Sequence, residues 1–318
     1  MLLGIDLGGT FIKTALVTAD GDILARTSAP TPAQEGPAAV MDAMAAAAKA
    51  LIAQHRVDAN IVAAGVGAPG PLNWQQGIIF EPPNLVGWRD VPLAAEMEKR
   101  LKVRVYLEND ANAACYGEHW LGAGRGAKTM CVLTLGTGLG GGIVVHNRLL
   151  RGIDGTAGEI GHMTVERDGR QCGCGARGCL ETYGSVTGMV RTAREGLECG
   201  RASVLQNTAP DLITGELISD LAADGDAFCQ WVVTETAQWL GLGIANLINL
   251  LNPEKVVLCG GMIAAGDRLF APLRATAKAN AFDVPAERCE IVPAGLGGDS
   301  GVLGVAGCAW ERLQGRHE

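Results

Sequence analysis

Short apolar runs that end in glycine recur along the chain and predict buried strands joined by tight tips. The first run, Leu2 to Asp6, leads into the tip Leu7 to Thr10, and a second apolar run covers Phe11 to Val17. A further turn follows at Gly21. Runs of this length between turn residues are typical of strands. Residues 2–28 are therefore predicted to form a three-stranded antiparallel meander.

The same order of apolar run, glycine-threonine tip and apolar run returns at Met130 to Leu135, Gly136 to Gly142 and Ile143 to Val145. The repetition indicates a weak internal duplication, in which two similar halves face each other across a cleft and hold a nucleotide between their tips. The second tip contains the letters G-x-G-x-x-G. A strand follows it, however, where a dinucleotide-binding motif requires a helix.

Apolar periodicity and helix propensity predict alternating strands and helices elsewhere, and so an α/β fold. The predicted strands cover 61–66, 103–107 and 255–258, and the predicted helices cover 38–54, 92–101, 185–196, 225–251 (one or two helices) and 297–313. Residues 72–91, with Trp74, Asn84 and Trp88, are predicted to form a long loop that covers a ligand.

Length and composition describe a globular protein of about two domains. Of the 318 residues, 48% are hydrophobic and 19% charged, which argues against disorder. The net charge of −8 provides no broad basic surface, so nucleic acid is not an expected partner. No signal peptide is expected at the N-terminus, and the apolar segment Trp239 to Leu251 is too short to span a bilayer, so no membrane partner is expected.

Residues 158–181 hold the most distinctive chemistry, with His162, Cys172, Cys174 and Cys179 close together in the sequence. One imidazole and three thiolates form a complete tetrahedral set for zinc and leave no position for water, so the predicted zinc is structural. The alternative is ordinary buried cysteines beside a surface histidine, although this cysteine spacing is typical of metal sites. The cysteine pattern as a whole favours a reducing cytoplasm.

Two carboxylates flank the predicted zinc ligands, Glu159 before the histidine and Glu181 after the last cysteine. The second ring nitrogen of a zinc-bound His162 usually has a hydrogen-bond partner. These three groups would suit a polyhydroxylated substrate.

Asp110 lies where the predicted strand 103–107 passes into a helix. A catalytic base would lie at such a strand end. Asn109 beside it can both donate to and accept from a substrate hydroxyl. The alternative is that Asp110 only caps the helix.

The first glycine tip, with Gly8, Gly9 and Thr10, could bind phosphate through backbone N–H groups and a hydroxyl, with Asp6 holding a hydrated cation. A plain tight hairpin is the alternative. Lys13, just past the tip, is either part of this site or an ordinary solvated side chain.

Two further glycine turns follow predicted strands. Gly70 lies in the rigid turn after strand 61–66 and would shape a pocket wall. Gly260 and Gly261 follow strand 255–258 and would let a flat ring lie against bare backbone, unless they form an ordinary strand turn. Together with Asp110, these features favour phosphoryl transfer to a sugar, which needs positioned phosphates and one proton acceptor.

Four strings resemble the motifs of ROK-family sugar kinases of the bacterial ATP-dependent glucokinase type. They are DLGGT at 6–10, ENDANAA at 108–114, LGTGLGGG at 135–142, and GEIGH continuing into CGCGARGCLE over 158–181. The resemblance implies a duplicated actin-like, ribonuclease H-like ATPase fold with two domains that flank a cleft. It further implies ATP, Mg²⁺ and structural Zn²⁺ as cofactors, and a homodimer.

The domain boundaries expected on this basis are 1–117, joined by a C-terminal helix at 300–318, and 118–299 with the zinc loop. The resemblance also implies a role for each candidate residue. Asp110 is the base; the sugar is held by Asn109, Glu159, His162 and Glu181; the nucleotide by Gly8, Gly9, Thr10, Thr137, Gly138, Gly260 and Gly261; and zinc by His162, Cys172, Cys174 and Cys179. From their positions in the chain, Gly70 is added to the predicted sugar site and Asp6 and Lys13 to the predicted nucleotide site.

The implied activity is phosphorylation of glucose to glucose 6-phosphate. Other hexoses are alternative substrates, namely N-acetylglucosamine, N-acetylmannosamine, mannose, fructose and allose. A non-catalytic sugar-sensing ROK regulator is less expected, because such regulators carry a helix-turn-helix module ahead of the same core and this chain starts at its first predicted strand, at Leu2. A zinc-stabilised binding module without catalysis would need neither Asp110 nor the glycine tips.

Overall fold

The computed structural model describes residues 1–55, 61–82 and 85–315. Its strands are β1 (Leu2–Leu7), β2 (Phe11–Val17), β3 (Ile23–Pro30), β4 (Ala63–Ala68), β5 (Leu72–Asn73), β6 (Ile78–Ile79), β7 (Val105–Asn109), β8 (Met130–Leu135), β9 (Leu139–Val145), β10 (Arg148–Leu149), β11 (Lys255–Cys259) and β12 (Glu290–Pro293). Its α-helices are α1 (Gly36–His55), α2 (Leu93–Leu101), α3 (Asp110–Trp120), α4 (Glu181–Gly184), α5 (Val186–Glu198), α6 (Gly215–Ala223), α7 (Ala227–Leu251), α8 (Asp267–Asn280), α9 (Asp283–Arg288) and α10 (Ser300–Leu313).

The first sheet has the strand order β3-β2-β1-β4-β7. Strands β1, β2 and β3 pair antiparallel, so the predicted meander is confirmed. Strands β4 and β7 are parallel to β1, and parallel pairs need the long helical connections that α1 and α2 supply. Every residue of β4 is buried, which explains why its sequence reads as a continuous run of small and apolar residues.

The second sheet repeats this arrangement position by position, with the order β10-β9-β8-β11-β12. Strands β9 and β10 are antiparallel, while β11 is parallel to both β8 and β12. Strand β9 begins at Leu139, four residues before the predicted start at Ile143, so residues 139–142 of the predicted tip belong to the strand. The common strand order confirms the α/β fold and the internal duplication.

Contacts within the chain divide it into two compact units. The first contains Met1–Lys128, Gly142–Gly158 and Ala294–Glu318, and the second contains Thr129–Gly141 and Glu159–Pro293. Helix α10 therefore belongs to the same unit as the N-terminal sheet. The expected domain boundary between residues 117 and 118 stays a prediction.

Helix α1 is long and apolar enough to cross a membrane by length and composition alone. Its residues Val40, Met44, Ala48 and Leu51 are buried in the core of the first unit, together with side chains of β1 and β4. This packing accounts for the apolar stripe of the helix, because a core helix needs an apolar face as a membrane helix does.

Two regions differ from the predicted elements. The predicted loop 72–91 contains the two-stranded antiparallel sheet of β5 and β6, whose two-residue strands are too short to give a periodic signal. Helices α6, α8 and α9 and strand β12 were not predicted, because polar residues interrupt their apolar positions. Asn84 of the predicted loop and residues 316–318 of the expected terminal helix lie outside the described residues.

Helix α10 approaches the backbones of β4 and α3 closely, because glycines stand where these elements cross. A Cβ atom at Gly65 of β4 would overlap the carbonyl oxygen of Val305 in α10. A Cβ atom at Gly304 of α10 would overlap the carbonyl oxygen of Ala113 in α3. Glycine at these positions therefore sets the distance between the last helix, the first sheet and α3.

Gly304→Ala is expected to destabilise the protein, because α3 and α10 must move apart to admit the added methyl group. Overpacking usually costs about 1–3 kcal/mol, and a clash with backbone belongs at the upper end. Equilibrium urea unfolding measures this loss. Gly298→Ala is the matched control, since a Cβ atom there would meet only the Lys13 Nζ atom, at 3.6 Å. Equal free energies of unfolding for the two variants would contradict the close packing of α3 and α10.

Candidate functional site

The predicted zinc ligands come together in the second unit. The ligand atoms of His162, Cys172, Cys174 and Cys179 all lie within 4.8 Å of one another. The Cys172 Sγ to His162 Nδ1 and Cys174 Sγ to Cys179 Sγ distances are both 3.7 Å. A tetrahedral zinc with bonds of roughly 2.3 Å to sulfur separates neighbouring sulfurs by roughly 3.8 Å. The donor set therefore fits a zinc ion in both chemistry and spacing.

Tight turns bring the three cysteines together. The Cys172 N–H donates to the Ala176 carbonyl oxygen at 2.9 Å, and Gly175 between them has a φ of +93° that favours glycine. At Gly178, φ is +71° and a Cβ atom would overlap the carbonyl oxygen of Glu166. The glycines are thus required by the path of the loop.

The three thiols differ in proton affinity. Burial, supported by hydrogen bonds with the neighbouring thiols, raises the pKa of Cys179 to about 12. Burial also raises the pKa of Cys172, whereas the backbone N–H of Ala176 lowers the pKa of Cys174. Zinc binds thiolates, so metal binding at this loop would release protons.

Glu159 and His162 lie at the two ends of one short 3₁₀ turn. The turn covers Ile160–His162, with Glu159 as its N-cap residue, and the His162 N–H donates to the Glu159 carbonyl oxygen at 3.0 Å. Gly161 lets the turn approach β9, since a Cβ atom there would overlap the Leu139 carbonyl oxygen. Because Nδ1 of His162 faces Cys172, Nε2 is the nitrogen left for another partner.

Glu181, the first residue of α4, connects the cysteine loop to the second glycine tip. Its Oε2 atom accepts a hydrogen bond from the Leu139 N–H at 2.9 Å, and its Oε1 atom is 3.8 Å from Cys172 Sγ. A Cβ atom at Gly138 would lie only 2.5 Å from Oε2. The sequence predicted Glu181 as a sugar ligand and gave no sign of this backbone contact.

The residues after Glu181 hold the same tip. The Val186 N–H donates to the Gly136 carbonyl oxygen at 3.0 Å, and the Thr187 hydroxyl donates to the Thr137 carbonyl oxygen at 2.7 Å. The tip, the cysteine loop and the start of α5 therefore form one connected structure within the second unit.

Gly260 and Gly261 follow β11, which pairs in parallel with the tip-bearing strand β8. Gly260 has a φ of +100°, and a Cβ atom there would overlap the Leu135 carbonyl oxygen. A Cβ atom at Gly261 would meet nothing within 4 Å among the described atoms. Gly260 is therefore required by the turn, and Gly261 leaves open space beside it.

In the first unit, Asn109 and Asp110 lie at the junction of β7 and α3. Asn109 is the N-cap residue, and its Oδ1 atom accepts from the N–H groups of Ala111 at 3.0 Å and Asn112 at 3.1 Å. The alternative interpretation of Asp110 as the N-cap is wrong, because Asp110 is the first helical residue. Its side chain is exposed, and its Oδ1 atom accepts from the Ala111 N–H at 2.8 Å.

Gly70 lies beside this junction. A Cβ atom at Gly70 would be 3.5 Å from Asn109 Nδ2, and the Gly70–Pro71 peptide bond is cis. Since Asn109 Oδ1 caps the helix, Nδ2 is the part of the amide directed toward Gly70. The structure thus brings together the predicted residues Gly70, Asn109 and Asp110.

The first glycine tip is closed by internal hydrogen bonds. The Gly8 N–H donates to the Phe11 carbonyl oxygen at 3.0 Å, and the Thr31 hydroxyl donates to the Gly8 carbonyl oxygen at 2.8 Å. Gly9 and Thr10 at the tip are exposed. The tip therefore has a defined shape and presents its last two residues outward.

Asp6 and Lys13 are partners in the register of β1 and β2. Burial raises the pKa of Asp6, and the charge of Lys13 opposes that shift. The Lys13 ammonium donates to the Gly298 carbonyl oxygen at 3.1 Å. Burial disfavours the charged form of this carboxyl group, and a bound cation would stabilise that charged form.

Glu108, directly before Asn109, is a buried acidic residue to which the sequence analysis gave no role. It is 2% exposed, and its Oε2 atom accepts from Arg151 Nε at 2.8 Å. The only sign of Glu108 in the sequence was an acidic residue at the end of an apolar strand. Its partner Arg151 is 43 residues away in the sequence, so the ion pair could not be predicted from local patterns.

The chain matches the model of the ROK family over residues 2–312. It is 43% identical to a glucokinase of Halalkalibacterium halodurans, over 95% of this chain and 92% of that protein. It is 30% identical to a xylose repressor of Caldicellulosiruptor bescii, over 88% of this chain and 71% of the repressor. A solved ROK family glucokinase from Streptomyces griseus, in complex with glucose and AMPPNP, is 35% identical with a TM-score of 0.83, over 97% of this chain and 98% of that chain.

The sequence motifs, the duplicated sheets and the match over nearly the whole length agree with one another, and they show that the chain belongs to the ROK family.

Proposed function

We propose that this protein is an ATP-dependent glucokinase that transfers the γ-phosphoryl group of ATP to the 6-hydroxyl of glucose. The observation that carries the proposal is the exposed Asp110 carboxylate at the β7–α3 junction, in a chain similar over nearly its whole length to glucokinases. A sugar-sensing regulator is the second candidate, because the chain is also similar to a xylose repressor.

In this proposal Asp110 is the general base. It accepts the proton of the sugar hydroxyl while that oxygen forms a bond to the γ-phosphorus. The bond from the γ-phosphorus to the β,γ-bridging oxygen breaks, and ADP leaves with its electron pair. The hydrogen bond from the Ala111 N–H to Asp110 Oδ1 supports this role, because it restrains the carboxylate at the helix start.

The proposed sugar-binding residues are Asn109 and Gly70 in the first unit, and Glu159, His162 and Glu181 in the second. Asn109 Nδ2 is a donor, the two carboxylates are acceptors, and His162 Nε2 can fill either role. Hydrogen-bond donors and acceptors of these types suit the adjacent hydroxyls of a sugar. The choice of glucose among hexoses rests on the similarity to glucokinases.

The nucleotide would bind the glycine tips. Backbone at Gly8, Gly9 and Thr10 and at Thr137 and Gly138 would contact phosphates, and open space at Gly261 beside Gly260 would admit a flat ring. Magnesium bound with ATP would neutralise charge on the phosphates, and Asp6 would help to hold it. Lys13 would add positive charge near the first tip.

His162, Cys172, Cys174 and Cys179 would hold a structural zinc ion. Its role would be to stiffen the loop that carries Glu159 and Glu181. Ten free cysteines support a reducing cytoplasm as the working compartment. Assembly into a homodimer stays a prediction.

A coupled ATP assay with a panel of hexoses tests the proposed activity, and glucose is expected to give the highest kcat/KM. Asp110→Asn should lower kcat by about 100- to 10,000-fold, because the general base is lost. Asp20→Asn is the matched control at an exposed aspartate. A wild-type protein that turns over no hexose, or an Asp110→Asn variant as active as wild type, would refute the kinase proposal.

Elemental analysis of protein purified without chelator should find about one zinc per chain. Cys174→Ser should lose the metal and lower the melting temperature, because one of the four donors is removed. Cys199→Ser, at an exposed cysteine outside the loop, should retain it. Equal zinc contents in the two variants would argue against this ligand set.

Gly138→Ala should raise KM for both glucose and ATP, because the added methyl group displaces Glu181 from the Leu139 N–H. Loss of a charge-assisted hydrogen bond of this kind corresponds to an increase in KM of roughly 10-fold or more. Gly173→Ala in the cysteine loop is the control, since a Cβ atom there meets nothing within 4 Å among the described atoms. Steady-state kinetics with each substrate varied in turn measures the effect; unchanged KM values would exclude the coupling.

A further inference from the structure

We infer that Glu108 and Arg151 form a buried ion pair whose function is to position Asn109 and Asp110 for catalysis. The inference rests on the proposed function and deepens it. Neither residue was assigned a role by the sequence motifs. Both belong to the first unit, as do all the residues that contact them below.

Glu108 holds the beginning of α3 through one of its oxygens. Its Oε1 atom accepts from the Asn109 N–H at 3.1 Å and from Asn112 Nδ2 at 3.3 Å. Asn109 and Asn112 lie on either side of Asp110 in the chain. The carboxylate therefore restrains the backbone immediately before Asp110 and a side chain of the same first turn.

Arg151 holds the other oxygen. Its Nε atom donates to Glu108 Oε2 at 2.8 Å, and the two side chains are only 10% and 3% exposed. The guanidinium also lies over the Trp74 ring, with Cζ 4.6 Å from the ring centroid. Burial lowers the pKa of Arg151, but Glu108 and other neighbouring acidic groups together raise it above its usual range, so the arginine stays charged.

A second arginine supports this arrangement from α10. The Arg312 guanidinium lies 4.9 Å from the Trp74 centroid, and its Nη1 atom donates to the carbonyl oxygens of Trp74 at 3.1 Å and Leu107 at 3.3 Å. Trp74 is thus contacted by both arginines, and the strand end is fixed at Leu107 as well as at Glu108.

The charge of Glu108 matters because both of its oxygens are already used. A glutamine at this position could keep an oxygen toward α3, but its amide NH₂ would then face the donor Nε of Arg151. One of the two contacts must be lost, and a buried guanidinium would lose its counter-charge. The side chain at position 108 would then no longer be fixed from the side opposite α3, and Asn109 and Asp110 would shift.

The test is a steady-state and stability comparison of wild type with Glu108→Gln, Arg151→Met, Arg151→Lys and the double variant Glu108→Gln/Arg151→Met. Glu108→Gln and Arg151→Met should each lower kcat on the order of 10- to 100-fold, because a misplacement near 1 Å has this effect. KM for glucose should rise with the shift of Asn109, and KM for ATP should stay unchanged. The kcat of the double variant should be no lower than that of the less active single variant, because both substitutions disrupt the same ion pair.

Arg151→Lys keeps the charge and should retain more activity than Arg151→Met. The matched control is Glu96→Gln, which breaks the Glu96–Arg100 pair on α2 of the same unit. It should leave all kinetic constants unchanged. If Glu108→Gln does not fold, the comparison of Arg151→Lys with Arg151→Met decides the question.

Two results would overturn the inference. In the first, the folded variants have the kcat of wild type. In the second, the apparent kcat falls only in proportion to the folded fraction while both KM values stay as in wild type, which is the behaviour of a purely structural pair. An inactive wild type would instead refute the proposed function, so the two failures are distinguishable.

Discussion

The close approach of α10 to β4 and α3 is the constraint on which the first unit depends. Glycines at positions 65 and 304 let backbone meet backbone, and a single methyl group at either would overlap a carbonyl oxygen. The C-terminal helix is thereby fixed to strands from the beginning of the chain. Since α3 packs on the same helix, the position of Asp110 at its first residue depends on packing against residues that are far from it in the sequence.

Duplication explains why the chain has two glycine tips, and the structure shows how they differ. The first tip is closed locally by the Gly8 N–H and by Thr31, which directly follows β3. The second tip is held by Glu181 and Thr187, which follow the cysteine loop. In the second unit, the residues that follow the cysteine loop support the glycine tip. In the first unit, the meander of β1 to β3 and the residue after it provide this support. The same order of strands therefore serves two tips with different supports.

Local patterns were sufficient to predict the meander, both strand–tip–strand units and the clustering of His162 with Cys172, Cys174 and Cys179, because each is encoded within a short stretch. The alternative in which Asp110 caps α3 was wrong, because Asn109 and Asp110 are adjacent, both residue types favour N-caps and the cap is Asn109. The pairing of Glu108 with Arg151 could not be predicted, because their separation of 43 residues leaves no local signal. The β5–β6 strands were missed because two residues show no alternation.

Helix α3 is held at both ends by buried carboxylates whose partners come from distant segments. Glu108 precedes the helix, while Glu118 near its other end accepts from the Gly295 and Leu296 N–H groups at 2.9 and 3.0 Å and from the Ser300 hydroxyl at 2.7 Å. A buried carboxylate is costly unless hydrogen-bonded, so these contacts keep the ends of the helix in place. In the proposed function, Asp110 would be an exposed base on a helix that is fixed at both ends, so substrate binding would not need to order α3 before proton transfer.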